Sequence, residues 1–274
     1  MSTATLARPR RHMPMGVKRW SWNIAAALFP FAVLLLAWQT ITVAKLVPPN
    51  FLPTPYEVFV AWLDVVRDGS YVANIGASLV RLGVGFAVST ILGIALGVLM
   101  GLHRGIADFF QPLASFFNAL SGIAWAPLAI TWFGLGPAAV TFIIWNSIFF
   151  LVLFNTLVGV KAVPRIYENA VLTLGGKRWQ VIAHVLIPGA LPSMITGLRM
   201  GMGFGWRALI VAEMIAASSG LGFMIFDARY IQRADLILVG IVTIGLIWLA
   251  TDRLLLVPLE RWTIERWGLV SKLQ

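Results

Sequence analysis

Six stretches of this chain are apolar over the length, roughly 20 residues, that a helix needs to cross a bilayer. They lie near 24–44, 76–100, 111–133, 137–159, 193–217 and 235–257. Hydrophobic residues make up 59% of 274 positions and charged residues 12%, against about 25% charged in an ordinary soluble domain. Such a chain cannot cover itself with polar surface in water and needs a bilayer as part of its solvent. The expectation is an all-α, polytopic membrane protein with six transmembrane helices. Gly134-Leu135-Gly136-Pro137, between the third and fourth stretches, suits a tight turn at the membrane surface. The stretch Ile24 to Ala44 is longer than the roughly 7–15 residues of a signal h-region, and no A-x-A site follows it, so it reads as a retained first span.

The basic residues set the orientation. In a six-span arrangement fourteen lie on one side: Arg8, Arg10, Arg11, Lys18 and Arg19, then Arg104, then Lys161, Arg165, Lys177 and Arg178, and finally Arg253, Arg261, Arg266 and Lys272. Lys45, Arg67, Arg229 and Arg233 lie on the other. Both termini are therefore expected in the cytoplasm, with a basic tail over 1–23, a six-span domain over 24–257 and a C-terminal tail over 258–274. A periplasmic segment, 45–75, opens with four prolines and continues as an amphipathic helix, Tyr56 to Val66. The longest cytoplasmic loop is 160–192.

Composition removes several function classes. The net charge of +10 sits beside apolar runs rather than on one soluble face, so it reports orientation and no nucleic-acid partner is expected. There is no cysteine, and His12, His103 and His184 are far apart, so no metal site and no thiol chemistry are expected. The phosphate-binding pattern G-x-x-x-x-G-K-[ST] is absent; Gly175-Gly176-Lys177-Arg178 lacks its spacing and its hydroxyl. No catalytic set and no cofactor are expected in this chain.

The loop 160–192 carries the most specific pattern. A short helix, a break at Gly175 and a second helix stopped by Pro188 would make a compact knob. Leu172, Leu174, Trp179, Val181 and Ile182 would give it an apolar face, rimmed by Lys177 and Arg178. An exposed apolar patch with a polar rim marks a docking site, although an amphipathic helix resting on lipid headgroups has the same pattern.

The run from Glu168, Asn169 and Ala170 through Leu174, Gly175, Lys177, Arg178 and Trp179 to Val185, Ile187 and Pro188 resembles the EAA loop of binding-protein-dependent ABC transporter permeases. The Gly175-to-Pro188 spacing matches. The opening departs, because the Glu-Ala-Ala positions hold Asn169, Ala170 and Val171, with Glu168 one residue early. Leu52-Pro53-Thr54-Pro55, Ala77-Ser78-Leu79-Val80-Arg81, Ala124 to Gly136, Gly197-Leu198-Arg199 and Val211 to Gly222 are similar to the nitrate/sulfonate/taurine group of that family. Ser121-Gly122 stand where many members have two prolines. The resemblance implies a type I importer permease fold in the bacterial inner membrane. It implies that residues 166–188 form a coupling helix for an ABC ATPase that binds ATP-Mg, with two ATPases per complex. A second permease copy, as a homodimer, would complete the pathway, and a periplasmic binding protein would deliver a small anion such as a sulfonate, taurine or nitrate.

Charges within the apolar stretches need protein or water around them, since each costs about 2.5–3.5 kcal/mol at bilayer depth on insertion scales. Arg207, Glu213 and Arg81 are the candidate pathway-lining residues. Arg199 lies near a span end, where snorkelling is expected. Arg207 and Glu213 are six apart and do not share one helical face. The glycine rows Gly93, Gly97, Gly101, Gly105 and Gly197, Gly201, Gly205 favour close helix packing within one subunit. A secondary transporter driven by an ion gradient is the alternative, but it would favour paired acidic residues at mid-membrane, and Glu213 stands nearly alone. An intramembrane enzyme would need a catalytic set that is absent.

Overall fold

The computed structural model describes residues 17–48 and 50–260. The basic tail expected over 1–23 lies outside the described residues as far as position 16, as does the C-terminal tail beyond Glu260. Among the described residues all regular structure is helical. Contacts divide the chain into two units, Met1–Glu57 and Val58–Gln274.

The first unit holds α1 (Val17–Val43), apolar from Phe29 to Val43 with its large side chains uncovered. It ends in a turn where Lys45 takes a positive φ. The Trp38 indole N–H donates to the Pro53 carbonyl at 3.0 Å, which folds the proline-rich segment back on the helix end. Helix α2 (Pro55–Asp68) starts there. Thr54 Oγ1 accepts from the Glu57 N–H at 3.2 Å, and Glu57 returns to the Thr54 N–H at 2.7 Å. This reciprocal cap, with Pro55 at the first helical position, fixes the start of α2.

The second unit is built around α6 (Pro137–Ala162), which lies between α3 (Ser70–Leu102) and α9 (Ile187–Ala216). Helix α6 is apolar around its whole circumference. Ile143, Ile144, Ile148, Val152 and Leu153 are fully buried, with Leu82 of α3 and Trp206 and Leu209 of α9 packed against the first four. In lipid, apolar burial gives little drive for helix association, so contact quality has to hold the helices together. The glycine rows supply it. A Cβ on Gly97 would lie 2.7 Å from Thr156 Cβ and 2.8 Å from the Leu153 carbonyl oxygen. A Cβ on Gly205 would lie 2.4 Å from Ile148 Cδ1. Both rows therefore press α3 and α9 onto α6 within one subunit. Gly105 departs from its row and faces open space.

Four of the six expected spans are continuous helices long and apolar enough to cross a membrane: α3, α6, the run Arg178–Ala216 and the run Ala234–Glu260. Helix α1 adds the apolar stretch Phe29–Val43. The third expected span, 111–133, is not one helix. It is α4 (Arg104–Ala119), one 3-10 turn (Gly122–Trp125) and α5 (Ala126–Phe133), bent by 88°. The chain turns extended at Leu120 and Ser121. Gly122 then approaches α6 so closely that a Cβ would meet Ser147 Oγ at 2.0 Å. The α5–α6 turn follows the expectation: Gly134 and Gly136 take positive φ, Pro137 starts α6, and the Gly136 N–H donates to the Ala216 carbonyl at 2.7 Å. The remaining elements are α7 (Arg165–Thr173), α8 (Arg178–Val181), α10 (Leu221–Tyr230) and α11 (Ala234–Thr251), which runs on through a π turn to Glu260.

Candidate functional site

The expected docking loop folds into a knob. Helix α7 ends at Gly175, whose φ of +81° is reached without strain only by glycine. The Gly176 N–H bonds the Val171 carbonyl at 2.9 Å and the Gly175 N–H bonds that of Leu172 at 3.0 Å, the paired bonds of a Schellman end. A Cβ on Gly176 would lie 2.7 Å from the Val171 carbonyl oxygen, so both glycines are needed. Helix α8 restarts at once, its Lys177 N–H held by Gln180 Oε1 at 2.6 Å.

The knob has two tiers. Leu174 is 88% exposed and Trp179 59%, with Leu172, Asn169, Ala170, Lys177 and Arg178 also facing out. Val181 is buried and Ile182 half-buried. These two were expected on the outer apolar face; they instead turn inward, in a knob whose helices α7 and α8 pack on each other. Glu168 and Val185 are half-buried, and Ile187 is exposed. The Trp179 ring packs near the His184 ring, 6.1 Å between centroids.

Pro188 does not stop the second helix. Helix α8 passes through a π turn, Ile182–Leu186, directly into α9, where Pro188 sits in the first turn. Proline lacks the N–H and crowds the carbonyl four residues back, which in a regular helix breaks the ladder. The wider turn, in which the Ile187 N–H bonds the Ile182 carbonyl, takes the proline without ending the rod. The exposed knob and the long helix at the subunit centre are thus one continuous element, Arg178–Ala216.

Arg81 and Glu213, expected to line a pathway, face each other inside the subunit. Glu213 is 0% and Arg81 7% exposed, with Nη1 to Oε1 at 2.6 Å. Ser78 Oγ donates to the same carboxylate at 2.8 Å, and the Gly222 N–H donates at 3.0 Å. Arg81 also donates to the Ser219 carbonyl and hydroxyl, each at 2.7 Å. The Leu221 N–H donates to Ser78 Oγ and the Gly220 N–H to Asn74 Oδ1, both at 2.8 Å. Glu213 therefore caps the start of α10, where a carboxylate suits the free N–H groups and the helix dipole. Gly220, at φ +112°, leaves room for that carboxylate, since a Cβ would lie 2.3 Å from Oε1. The physical reason for the changed assignment is saturation: every charge here has a partner, and none faces an opening. Ser78, Asn74 and Ser219 were not singled out in the sequence. The spacing of Ser78 and Arg81, one helical turn apart, was the available signal.

Arg199 bonds Asp252, with Nη2 to Oδ1 at 3.1 Å, and Glu260. It joins α9 to the end of the α11 run rather than reaching only for solvent. Arg207 lies on the uncovered stripe of α9 with Thr196, Met200, Phe204 and Ile215. Its guanidinium stands 5.6 Å from the Phe204 ring centroid, and it has no ion pair among the described residues.

The comparisons with known proteins fit this geometry. Residues 90–257 match the family model described as binding-protein-dependent transport system inner membrane component. The taurine transport system permease protein TauC of Escherichia coli is 34% identical over 238 residues, covering 84% of this chain and 86% of the relative. The bicarbonate transport system permease protein CmpB of Synechococcus elongatus is 31% identical over 281 residues, covering 97% and 99%. Among solved structures, the MetNI methionine ABC transporter in inward-facing conformations matches with a TM-score of 0.55 and 16% identity, over 69% of this chain and 95% of that one; this likeness is of fold.

The chain belongs to the family of binding-protein-dependent transport system inner membrane components. It is the permease subunit of an ABC importer, of the group that includes the taurine permease, and a multi-pass inner-membrane protein. In such importers ATP hydrolysis belongs to a separate ATPase subunit, and a binding protein presents the solute.

Proposed function

We propose that two copies of this chain form the translocation pathway for a small anion, with both termini in the cytoplasm. Each copy docks one of two ATPases through Glu168 to Pro188, and ATP-Mg is bound by those ATPases alone. A periplasmic binding protein delivers substrate on the side of segment 45–75. The observation that carries the reading is the knob: Leu174 and Trp179 stand exposed at the head of the unbroken helix Arg178–Ala216. A displacement of the knob is a displacement of that helix. Trp179 and Arg207 are then about 40 Å apart along one rod, at about 1.5 Å per residue.

Arg207 supports the choice of anion. A charge on the uncovered face of α9 is costly against lipid, so this stripe faces the second copy or water. A cation there, free of carboxylates, raises the local concentration of anions. The taurine and bicarbonate permeases among the relatives carry sulfonate or carbonate chemistry in their names, and sulfonates, taurine and nitrate form the proposed substrate class.

The test replaces Gly175 to Trp179 with a flexible Gly-Ser linker. The ATPase should co-purify with the intact chain and be lost from the altered one. Equal retention by both would remove the docking assignment. Arg207→Gln should slow substrate-dependent transport and leave ATPase retention unchanged; unchanged transport would take Arg207 off the pathway.

A further inference from the structure

Helix α4 divides into three faces. Ala107 and Ala114 are buried and cluster with Phe150, Leu153 and Leu157 of α6. Phe109, Leu113 and Phe116 form an exposed apolar face. Between the two, Arg104, Asp108, Gln111, Ser115 and Asn118 follow at spacings of four, three, four and three, which puts all five on one side of the helix. All five are exposed, and the side chains of Gln111, Ser115 and Asn118 make no hydrogen bond among the described residues. A groove of about 370 Å³ lies on this stripe, lined by Asp108, Gln111, Pro112 and Ser115.

A regular polar stripe also suits a helix lying flat among lipid headgroups. The packing of α4 excludes that. Arg104 lines one cleft with Lys161, Ala107 and Ala114 meet the stretch from Phe150 to Leu157, and Gly122, just beyond α4, approaches Ser147. As α4 advances, its partners on α6 recede. It therefore runs antiparallel along a helix that is itself long and apolar enough to cross a membrane. The stripe lies at membrane depth, where polar groups without protein partners need water.

We propose that this stripe is a wall of the translocation pathway, with Gln111, Ser115 and Asn118 as its solute contacts. Their amide and hydroxyl groups donate hydrogen bonds to the oxygens of a passing oxyanion. This rests on the proposed function, which makes the subunit a path for a small anion. Neutral donors suit passage, because a conducting site must bind well enough to admit a solute and weakly enough to release it. Asp108 is the one acid of the stripe, and it stands where the groove meets the cleft that Arg104, Lys161, Arg165 and Arg178 also line. The cations there outnumber it. Beyond Asn118 the chain is extended at Leu120 and Ser121, and Ser121 is exposed. Irregular backbone at membrane depth is tolerated where it lines a water-filled cavity.

The chain has no cysteine, so a single introduced thiol reports one position. Gln111→Cys, Ser115→Cys and Asn118→Cys sample the stripe, and Leu113→Cys and Phe116→Cys sample the apolar face. Each is made in the full chain, with its ATPase, in inside-out membrane vesicles. The probe is 2-sulfonatoethyl methanethiosulfonate, a thiol-reactive anion confined to water. A thiol in water ionises and reacts, whereas one in apolar surroundings has a raised pKa and stays protonated. Stripe positions should label at least about tenfold faster than the apolar ones, the effect of one unit in thiol pKa. A non-hydrolysable ATP analogue should slow labelling of the stripe, because ATP-driven closure shuts the pathway on the ATPase side. Equal rates on the two faces overturn the proposal. So does a disulfide between two copies at Ser115→Cys on mild oxidation, which would make the stripe a subunit contact. Fast labelling that the nucleotide leaves unchanged while the ATPase is bound also overturns it, by making the stripe an outer surface. Failure of the intact chain to hold the ATPase counts against the proposed function alone, and the contrast between the two faces is then read on the permease by itself.

Discussion

Helix α9 meets two arginine–carboxylate pairs of opposite kind. At its C-terminal end Arg81 and Glu213 are dry, and the Glu213 carboxylate has further donors in Ser78 and the Gly222 N–H. Midway along the helix, Arg199 is 40% exposed and its partner Asp252 19%. A buried pair cannot be opened without leaving a charge in a medium that solvates it poorly. A half-wet pair exchanges its partner for water at a cost of about 0–1 kcal/mol. The same helix is therefore anchored at its C-terminal end, where it meets α3 and α10, and only tethered at its middle. An importer subunit that must convert a push on the knob into a change elsewhere needs that asymmetry: a fixed end, and a looser hold on the stretch nearer the knob.

The sharpest way to break the comparison is Arg81→Leu. Glu213 would keep its place at the start of α10 with its counter-charge gone, and the expected loss is about 3–5 kcal/mol. It would be read as a lowered unfolding midpoint in detergent micelles, or as failure to recover folded protein. Arg81→Leu combined with Glu213→Leu removes both charges and should recover part of that loss, leaving the Gly222 N–H and Ser78 to be re-satisfied. If Arg81→Leu costs no more than Arg199→Leu, the two pairs do not differ and the anchor is not an anchor.

Gly97→Ala probes the close packing of α3 on α6. Its Cβ would press on the Leu153 carbonyl oxygen at 2.8 Å, and backbone gives way only if α3 and α6 separate. The expected cost is about 1–3 kcal/mol. Gly105→Ala, next in the sequence spacing but beyond the break at His103, in the first turn of α4 and facing open space, should be close to neutral. Equal effects at both positions would mean that the row is not a packing seam.

At the knob the expected effect is on association and not on folding. Trp179→Ala removes an exposed ring, so the unfolding midpoint should stay put. ATPase affinity should fall by more than about 1 kcal/mol, roughly fivefold or greater, as for a central aromatic contact. A drop in the midpoint with affinity intact would make Trp179 part of the subunit's own packing.

Much of this fold was legible in the sequence because apolar length and glycine spacing are local signals. The existence of most of the membrane stretches, the turn at Gly134 and Gly136 and the glycine rows follow from neighbours in sequence, whereas the start of the fifth stretch, expected near 193, lies at Arg178 because the helix runs on through Pro188. The bend at Leu120-Ser121 was not legible, since no proline marks it and its cause is the approach of Gly122 to Ser147, distant in the chain. The cap of α2 by Thr54 and Glu57 was legible as S/T-x-x-E and was passed over. The Arg81–Glu213 pair joins positions 132 residues apart, and each residue by itself reads as a charge in search of water. Pro188 misled for a physical reason as well: proline ends a regular helix, but a π turn ahead of it lets the rod continue. The knob itself was readable from Gly175 and the Trp179 region, while its division into an outer tier and a buried tier was set by the packing of α7 on α8 and the π turn.

The smallest expected effect is at Arg199, and it separates a tether from an anchor most directly. Arg199→Gln keeps a long polar side chain and removes the charge that reaches Asp252 and Glu260. Stability should fall by no more than about 1 kcal/mol. Because the pair is partly in water, the difference between the two proteins should shrink further as salt is raised toward 1 M, where screening acts over about 3 Å. The Arg81→Leu deficit should not shrink in the same titration, because the buried pair is screened far less. Basal ATP hydrolysis by the complex adds the functional arm. If the Arg199 contact forms in one state of the transport cycle and opens in the other, its loss shifts their balance by at most its own energy, a factor of about five at 1 kcal/mol. A larger change, or one that salt leaves untouched, would show that Arg199 is fixed as firmly as Glu213 and that α9 is held as rigidly at its middle as at its C-terminal end.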